Sequence, residues 1–207
     1  MANNALNLMH HTSIMNVLLH CCCAPCSAAI LEWMLQNDWQ PTLYYFNPNI
    51  FPEEEYIIRK NECTKYARKL GIEIVDGEYD HAEWDCRVAA GREQEPERGK
   101  RCLECFKYRL AETARYAHEH GFPLIATTLG SSRWKDLAQI AEAGNEAVAR
   151  YPDVQFWDKN WRKGGLQERR NTLLKENGFY NQLYCGCEFS RERLYNPPSG
   201  KNESTNS

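Results

Sequence analysis

Cysteines are the residues of this sequence whose spacing points most directly to chemistry. The chain contains ten, and eight of them fall into three short blocks: CCCAPC at 21–26, CLEC at 102–105 and CGC at 185–187. Clustered cysteines in a chain expected to lie in a reducing compartment are typical of metal or redox chemistry, not of structural disulfides. Cys63 and Cys86 stand alone, and we expect both to fill small apolar spaces.

The first two blocks have the spacing expected of metal ligands. Block 21–26 lies between a predicted strand and a predicted helix, where the backbone amides of a helix N-terminus stabilise thiolates. Block 102–105 opens another helix, and its i, i+3 spacing puts both sulfurs on one face. Two thiolates from each block would suit a tetrahedral zinc ion or an iron–sulfur cluster, and the spacing does not distinguish these.

The third block, CGC at 185–187, favours redox chemistry. Two cysteines separated by one residue can close a disulfide only in a tight ring, and the glycine relaxes the backbone restriction. Such a bond is easily reduced, which suits a two-electron relay better than a structural cross-link. Further metal ligands or inert thiols are the alternatives for this block.

Other side chains near the blocks are less specific. His20 ends the first predicted strand, and we expect it to be packed in the core more often than to serve a substrate. The segment 159–175 carries six basic residues and one acid, with Trp157 and Trp161 beside it. This combination suits phosphate contact and base stacking on RNA, or else a solvated helix face.

Alternating strands and helices must position these side chains. Apolar runs predict strands at 16–20, 41–48, 72–79, 123–130 and 154–158, and helical periodicity predicts helices at 28–36, 53–70, 102–120, 136–149 and 165–177. This alternation predicts an α/β fold with a mostly parallel five-stranded sheet and helices on both faces. Ligands of such sheets bind beyond the carboxyl ends of the strands. The loops at 21–26 and 127–132 should therefore share one rim.

Length and composition are consistent with one domain. The 207 residues are 43% hydrophobic and carry a net charge of −3, so an RNA partner would need a local basic patch. We predict a single domain at 16–195 between an N-terminal tail, 1–15, and a disordered tail, 196–207. We expect a cytoplasmic protein, since we find neither a signal peptide nor an apolar run long enough to span a membrane.

The blocks and their flanking residues resemble one known family. A single CxxC pair is a weak indicator, but the ordered set is specific. The segments that occur in the order found in QueH-type epoxyqueuosine reductases are HCCCAPCS (20–27), RCLEC (101–105), ATTLGSS (126–132), WRKGG (161–165) and YCGC (184–187). The resemblance implies an oxidoreductase that reduces epoxyqueuosine to queuosine at the tRNA wobble position, the last step of queuosine biosynthesis.

The resemblance also implies a set of site residues. It implies a [4Fe-4S] cluster, and an additional iron beside it for which Cys26 is a candidate ligand. It implies a redox-active disulfide between Cys185 and Cys187. The implied cluster ligands are Cys22, Cys23, Cys102 and Cys105.

The implied fold and partners complete this hypothesis. The family's domain is similar to the nucleotide α-hydrolase type of α/β sheet. The partners would be a tRNA anticodon stem-loop, which we expect Arg162 and Lys163 to help grip, and an electron donor that the sequence does not identify. No membrane partner is expected.

Two other functions compete with this one. An iron–sulfur sulfurtransferase that thiolates tRNA shares the sheet type, but the SGGxDS loop of ATP pyrophosphatases is missing after the first strand, as is any GxxxxGK[ST] loop. The second competitor is an RNA-binding module in which the first two cysteine blocks hold a structural zinc ion. ATP dependence and the identity of the bound metal distinguish the three.

Overall fold

The computed structural model describes residues 15–195. The predicted tail 196–207 and residues 1–14 lie outside the described residues, whereas Met15 begins the first strand. The strands are β1 (Met15–His20), β2 (Trp39–Tyr45), β3 (Ile74–Asp76), β4 (Leu124–Thr127) and β5 (Gln155–Phe156). The helices are α1 (Ala24–Gln36), α2 (Glu53–Leu70), α3 (His81–Trp84), α4 (Lys100–Glu119), α5 (Leu137–Val148), α6 (Leu166–Glu176) and α7 (Glu188–Tyr195). Within 15–195, no helix has both the length and the apolar character that crossing a bilayer would demand.

The five strands form one sheet in the order β3-β2-β1-β4-β5, and each neighbouring pair is parallel. β1 lies at the centre, where Leu18 is opposite Thr42 of β2 and Ile125 of β4. The predicted five-stranded sheet is therefore confirmed. Because these strands run in one direction, the loops that follow them leave the sheet at one side, which we call the carboxyl edge.

Helices cover both faces of the sheet, as predicted. Val17 and Leu19 of β1 point to one face and pack with apolar side chains of α1, α2 and α6. Leu18 points to the other face and packs with α4 and α5, through residues such as Leu110 and Ile140. Because both faces are covered, the central strand β1 carries a continuous apolar run at 17–19 without polar alternation.

α2 forms over the residues that its sequence predicts, Glu53–Leu70. Three glutamates occupy its first turn, and Arg68 and Lys69 occupy its last, so charges of both signs complement the helix dipole. Gly71 ends the helix with a φ of 68°, a left-handed conformation that glycine adopts without steric cost.

Several elements differ from the predicted ones. α1 begins at Ala24 and not at 28, and β3 covers only Ile74–Asp76 of the predicted 72–79. β4 is shorter than predicted because the Thr127 side chain accepts a hydrogen bond from the Leu129 amide and turns the chain into a 3-10 helix, Thr128–Ser131. α3 continues into a π-helical turn, Asp85–Ala89, and neither this region nor α7 is predicted by periodicity. These segments are too short to show a helical repeat in the sequence.

Candidate metal and redox site

Three cysteines form a buried cluster where β1 passes into α1. The Sγ atoms of Cys22, Cys23 and Cys26 all lie within 4.8 Å of one another. Cys23 immediately precedes α1, and Cys26 lies in its first turn. Pro25 is compatible with this turn because the first residues of a helix do not need their N–H groups for intrahelical bonds. The predicted position of this block at a helix N-terminus is confirmed.

Negative charge in this cluster is held on Cys22. Hydrogen bonds from the thiols of Cys23 and Cys26 hold the pKa of Cys22 well below its usual value. The positive charges of Lys135 and Arg109 lower it further. The hydrogen bond to Cys22 raises the pKa of Cys26 to about 11, and burial raises that of Cys23. A thiolate flanked by two further sulfurs is a suitable donor for a soft cation.

Lys135 is a cation that faces more than one cysteine block. It lies in the loop after β4 and is partly buried. Burial alone would lower its pKa, but the sulfurs of Cys185, Cys22 and Cys26 outweigh burial and raise it. Lys135 therefore places the third cysteine block in the same electrostatic environment as the first.

Arg109 of α4 lies between the first and second blocks. Its Nη2 donates to Asn47 Oδ1, and the Asn47 amide donates to the backbone carbonyl of Cys21 at 2.8 Å. Its charge helps to lower the pKa of Cys22, and at Cys105 it opposes the burial that raises the pKa. Its Nε atom is buried and has no hydrogen-bond partner among residues 15–195. Arg109 thus compensates negative charge on sulfurs from two distant parts of the sequence.

The second cysteine block lies in the first turns of α4. The Arg98 amide donates to Cys102 Sγ at 3.3 Å. Burial raises the pKa of Cys102 to about 11, and the sulfur of Cys185 adds to this shift. Burial likewise raises the pKa of Cys105, which packs beside Trp84 and the partly buried Cys187. The second and third blocks are therefore neighbours.

The third block is a loop with both sulfurs present as thiols. Cys185 is exposed and Cys187 is partly buried. Burial, followed by the charge of Cys185, raises the pKa of Cys187 to about 12. Gly186 has a φ of +145°, and a Cβ there would lie 3.0 Å from Asn49 Nδ2 and 3.1 Å from Ile50 Cγ1. The positive φ and these close contacts favour glycine at this position. The predicted disulfide is not formed in this structure.

Arg59 of α2 anchors this loop. It donates to the carbonyls of Cys185 at 3.1 Å and Tyr184 at 3.3 Å. Its partner is the nearly buried carboxylate of Glu55, at 2.6 Å. The Phe51 amide also donates to the Gly186 carbonyl at 2.9 Å. The loop between β2 and α2 and the helix itself therefore fix the backbone of the third block.

The predicted site residues fall into two groups that border one region at the carboxyl edge. Cys22 and Cys23 belong to the first group, together with Cys26. The second group consists of Cys102, Cys105, Cys185 and Cys187. Within residues 15–195, Cys102 and Cys105 belong to no group of three or more side chains whose ligand atoms are as close as those of the first trio. The four-ligand set stays a prediction.

The sequence predicts that His20, Cys63 and Cys86 are packed side chains, and the structure confirms this for two of them. His20 is fully buried between Thr127 Oγ1 at 2.9 Å and the Phe46 carbonyl at 3.1 Å, so it is a packed core histidine. Burial, and then the charge of Arg109, lower its pKa to about 3. Cys63 is buried in the core as expected. Cys86 is exposed, so the expectation that it fills an apolar space is wrong.

Of the two interpretations of the basic segment, RNA stacking does not fit Trp161. Trp161 is only 2% exposed, and its indole N–H donates to the Thr127 carbonyl at 3.0 Å. Lys159, from the same basic segment, lies 3.5 Å from the centre of the Trp33 ring. Arg169 pairs with Glu32 at 2.7 Å. Much of the basic segment therefore stabilises the fold.

The contact of Arg162 and Lys163 with a tRNA anticodon stem-loop stays a prediction. The Arg162 guanidinium donates to the carbonyls of Gly130 at 3.1 Å and Lys135 at 2.7 Å, so it fixes the loop after β4. Lys163 is exposed and lies next to it in the sequence.

Sequence reasoning missed four residues of this site: Lys135, Arg109, Arg59 and Gln182. Gln182 Nε2 donates to Cys23 Sγ at 2.9 Å and lies 3.7 Å from Cys26 Sγ. Lys135 follows the loop at 127–132 that the sequence places on the rim, so its position was a usable signal. Nothing in the local sequence of Arg59 or Arg109 indicates contacts with residues so distant in the chain.

This set of donors fits a thiolate-bound metal centre. Thiolates are the ligands of iron–sulfur clusters and of structural zinc. Three sulfurs are already close together. A four-iron cluster is wider than a single ion, so its ligands must lie further apart. Such a centre carries a net negative charge with four thiolates, and Lys135 and Arg109 supply compensating positive charge.

Comparison with known proteins agrees with this chemistry. The family described as epoxyqueuosine reductase QueH matches residues 17–193. A curated epoxyqueuosine reductase QueH from Haemophilus influenzae is 49% identical over 174 residues, which cover 84% of this chain and 71% of the relative. The proteins of the same name from Acinetobacter baylyi and Thermotoga maritima are 45% and 35% identical, over 84% of this chain and 79% and 89% of the relatives.

Proposed function

Because this chain belongs to the QueH family of epoxyqueuosine reductases, we propose that it reduces epoxyqueuosine to queuosine in tRNA. The chain is an oxidoreductase of queuosine biosynthesis. The reaction opens both C–O bonds of an epoxide, forms a carbon–carbon double bond and releases the oxygen as water. It consumes two electrons and two protons. The observation that carries this conclusion is the family match over nearly the whole described chain.

We propose that the centre is a [4Fe-4S] cluster. Its ligands would be Cys22, Cys23, Cys102 and Cys105, with Cys26 as a candidate ligand of an additional iron. The buried trio of sulfurs and the low pKa of Cys22 support thiolate ligation. When bound, the cluster supplies electrons one at a time at low potential, which amino acid side chains do not do.

The third cysteine block can balance the reaction. Oxidation of the Cys185 and Cys187 thiols to a disulfide releases two electrons and two protons, the amounts that the epoxide consumes. The closeness of Cys187 to Cys105 supports electron exchange with the proposed ligands. An external electron donor then returns the disulfide to two thiols. The anchoring of the loop by Arg59 keeps both sulfurs beside the site through the cycle.

Charged residues around the site would bind and orient the substrate. Lys135 offers three N–H donors next to the sulfurs of Cys22 and Cys185. Its ammonium can donate a hydrogen bond to the epoxide oxygen and stabilise the negative charge that develops there. Arg162 and Lys163 would contact phosphates of the anticodon stem-loop.

The remaining parts of the hypothesis concern the type of fold and the cellular compartment. We propose that the fold is of the nucleotide α-hydrolase type, and the parallel order 3-2-1-4-5 supports this. We propose a cytoplasmic location, because clustered thiols suit a reducing compartment.

Nucleoside analysis tests the function. The holoenzyme, prepared without oxygen, is incubated with epoxyqueuosine-containing tRNA and a chemical reductant, and the digested nucleosides are separated by mass spectrometry. We expect queuosine to replace epoxyqueuosine without ATP. Unchanged epoxyqueuosine with a colourless, zinc-containing protein would instead support the RNA-binding module, and ATP-dependent thiolation would support the sulfurtransferase.

A further inference from the structure

The loop SSRWKD at 131–136 presents an exposed tryptophan beside the site. Trp134 is 67% exposed, whereas Trp84 and Trp161 are almost completely buried. The Arg133 guanidinium lies 4.8 Å from the centre of the Trp134 ring. The side chain of Arg133 is itself exposed. An indole with an adjoining guanidinium is a surface on which a nucleobase stacks well.

Side chains from other parts of the fold hold the backbone under this pair. Arg98 donates to the carbonyls of Trp134 at 2.8 Å and Arg133 at 3.2 Å. Arg162 also donates to the carbonyl of Lys135 at 2.7 Å. Asp136, the only acid in the loop, caps α5 by accepting from the Ala138 amide at 2.8 Å. This anchoring holds the backbone that carries the exposed ring, so the loop need not be ordered when a partner binds.

The loop is directly connected to the cysteine site. Arg98, whose side chain holds the loop, donates its own amide to Cys102 Sγ at 3.3 Å. Lys135, the residue after Trp134, lies near enough to Cys185 and Cys22 for the charge of their sulfurs to raise its pKa. The exposed ring therefore lies at the rim of the region that the reacting base must enter.

We propose that Trp134 and Arg133 form a stacking platform for an unpaired nucleobase of the substrate RNA, next to the base that is reduced. This inference rests on the proposed function, since it assigns RNA as the partner. The bases beside a wobble nucleotide are unpaired and present their ring faces. The positive charge of Arg133 and Lys135 favours a polyanion over a neutral apolar partner.

RNA binding by three variants of the holoenzyme tests the platform. The probe is a fluorescently labelled RNA hairpin with the sequence of an anticodon stem-loop, compared with a blunt RNA duplex of equal length. We expect Trp134→Ala to weaken hairpin binding about tenfold, the loss typical of one stacked base, and Trp134→Phe to recover most of it. Binding of the duplex, whose bases are already stacked, should change much less. Arg133→Glu should weaken the binding of both RNAs.

Two matched controls lie at the edge of the sheet opposite the carboxyl edge. Leu35→Ala removes another exposed apolar side chain, from the last turn of α1. Arg68→Glu makes the same charge change in the last turn of α2. Both should leave hairpin binding unchanged, since these turns lie away from the carboxyl edge.

The outcomes separate this inference from the proposed function. Wild-type hairpin affinity in Trp134→Ala, with epoxyqueuosine still reduced in tRNA, would overturn the platform and leave the function intact. Unchanged RNA binding combined with slow turnover that a chemical reductant rescues would assign the loop to a protein electron donor and would also overturn it. Failure of the wild-type protein both to bind tRNA and to reduce it would reject the proposed function itself.

Discussion

Arg59→Met tests how the CGC loop is held beside the other cysteines. Arg59 is only 1% exposed, and its guanidinium bonds Glu55 together with two loop carbonyls. Methionine keeps much of the length of the side chain but removes every one of these donors. The substitution therefore leaves the Glu55 carboxylate buried without its cation.

The expected cost follows from the buried ion pair. Removing one partner of such a pair destabilises a protein by about 3–5 kcal/mol. The Tyr180 hydroxyl still donates to Glu55 at 2.8 Å, so we expect the loss to lie near the lower figure, about 3 kcal/mol. In Arg59→Met/Glu55→Gln the uncompensated charge is gone. The remaining loss, from two loop carbonyls without donors, should be about 1–2 kcal/mol.

Urea unfolding of the reduced metal-free protein measures these free energies. Alkylation of Cys187, followed by mass spectrometry below the unfolding transition, measures how often the loop opens. We expect Arg59→Met to accelerate alkylation of the partly buried Cys187. The matched control is Arg68→Met in the exposed last turn of the same helix, where we expect a change within about 0.5 kcal/mol and no faster alkylation.

Three results would refute this reasoning. The first is a loss below about 1 kcal/mol in Arg59→Met, which would mean that the ion pair is not buried in solution. The second is a double variant no more stable than the single one. The third is an unchanged rate of Cys187 alkylation, which would separate Arg59 from the loop.

Two further predictions concern stability. His20, with a pKa lowered from 6.5 to about 3 by burial, stays neutral in the folded protein but is protonated in the unfolded chain as the pH falls. His20 should therefore lower the free energy of unfolding by about 1.4 kcal/mol for each pH unit below 6.5, down to about pH 3. His20→Gln should remove that contribution. If urea unfolding gave the same pH dependence of this free energy for the wild type and the variant, the result would contradict this prediction. Gly186→Ala should lower the free energy of unfolding by about 1–3 kcal/mol. The loss should exceed that of Gly121→Ala, because a Cβ at 121 would meet open space and one at 186 would not. Equal losses of free energy in the same assay would contradict the crowding argument.

The sequence predicts the sheet and helices well where the pattern is local. α2 is an example, since its acidic start, basic end and terminal Gly71 all act within one turn of the residues they affect. The placement of the first cysteine block at a helix start is equally local. The 3-10 turn after β4 was missed because it depends on one side chain, Thr127, which accepts a hydrogen bond from Leu129.

The candidate site is harder to predict because long-range contacts form it. Arg59 reaches Cys185 across 126 positions of the sequence. Gln182 reaches Cys23 across 159. No periodicity or spacing encodes such contacts. The cysteines were identifiable because their chemistry is rare, whereas the arginines and the glutamine that support them resemble ordinary surface residues.

Long-range packing also explains why the basic segment 159–175 is a poor guide to an RNA-binding surface. Trp161 and Lys159 stand in a basic, aromatic segment that is typical of nucleic-acid binding. In the folded chain they pack against Trp33 of α1, and the Trp161 indole bonds the end of β4. Trp134 has fewer basic neighbours in the sequence, yet it is the tryptophan that the fold leaves exposed.

The most direct test of the central claim is the iron and acid-labile sulfide content of single cysteine variants after anaerobic reconstitution. The account predicts that Cys22→Ser and Cys102→Ser each lose most of the iron and the visible absorbance of the cluster. Cys63→Ser and Cys86→Ser should bind as much as the wild-type protein. A full complement of iron and sulfide in Cys102→Ser would contradict the claim that distant cysteine blocks converge on one metal centre.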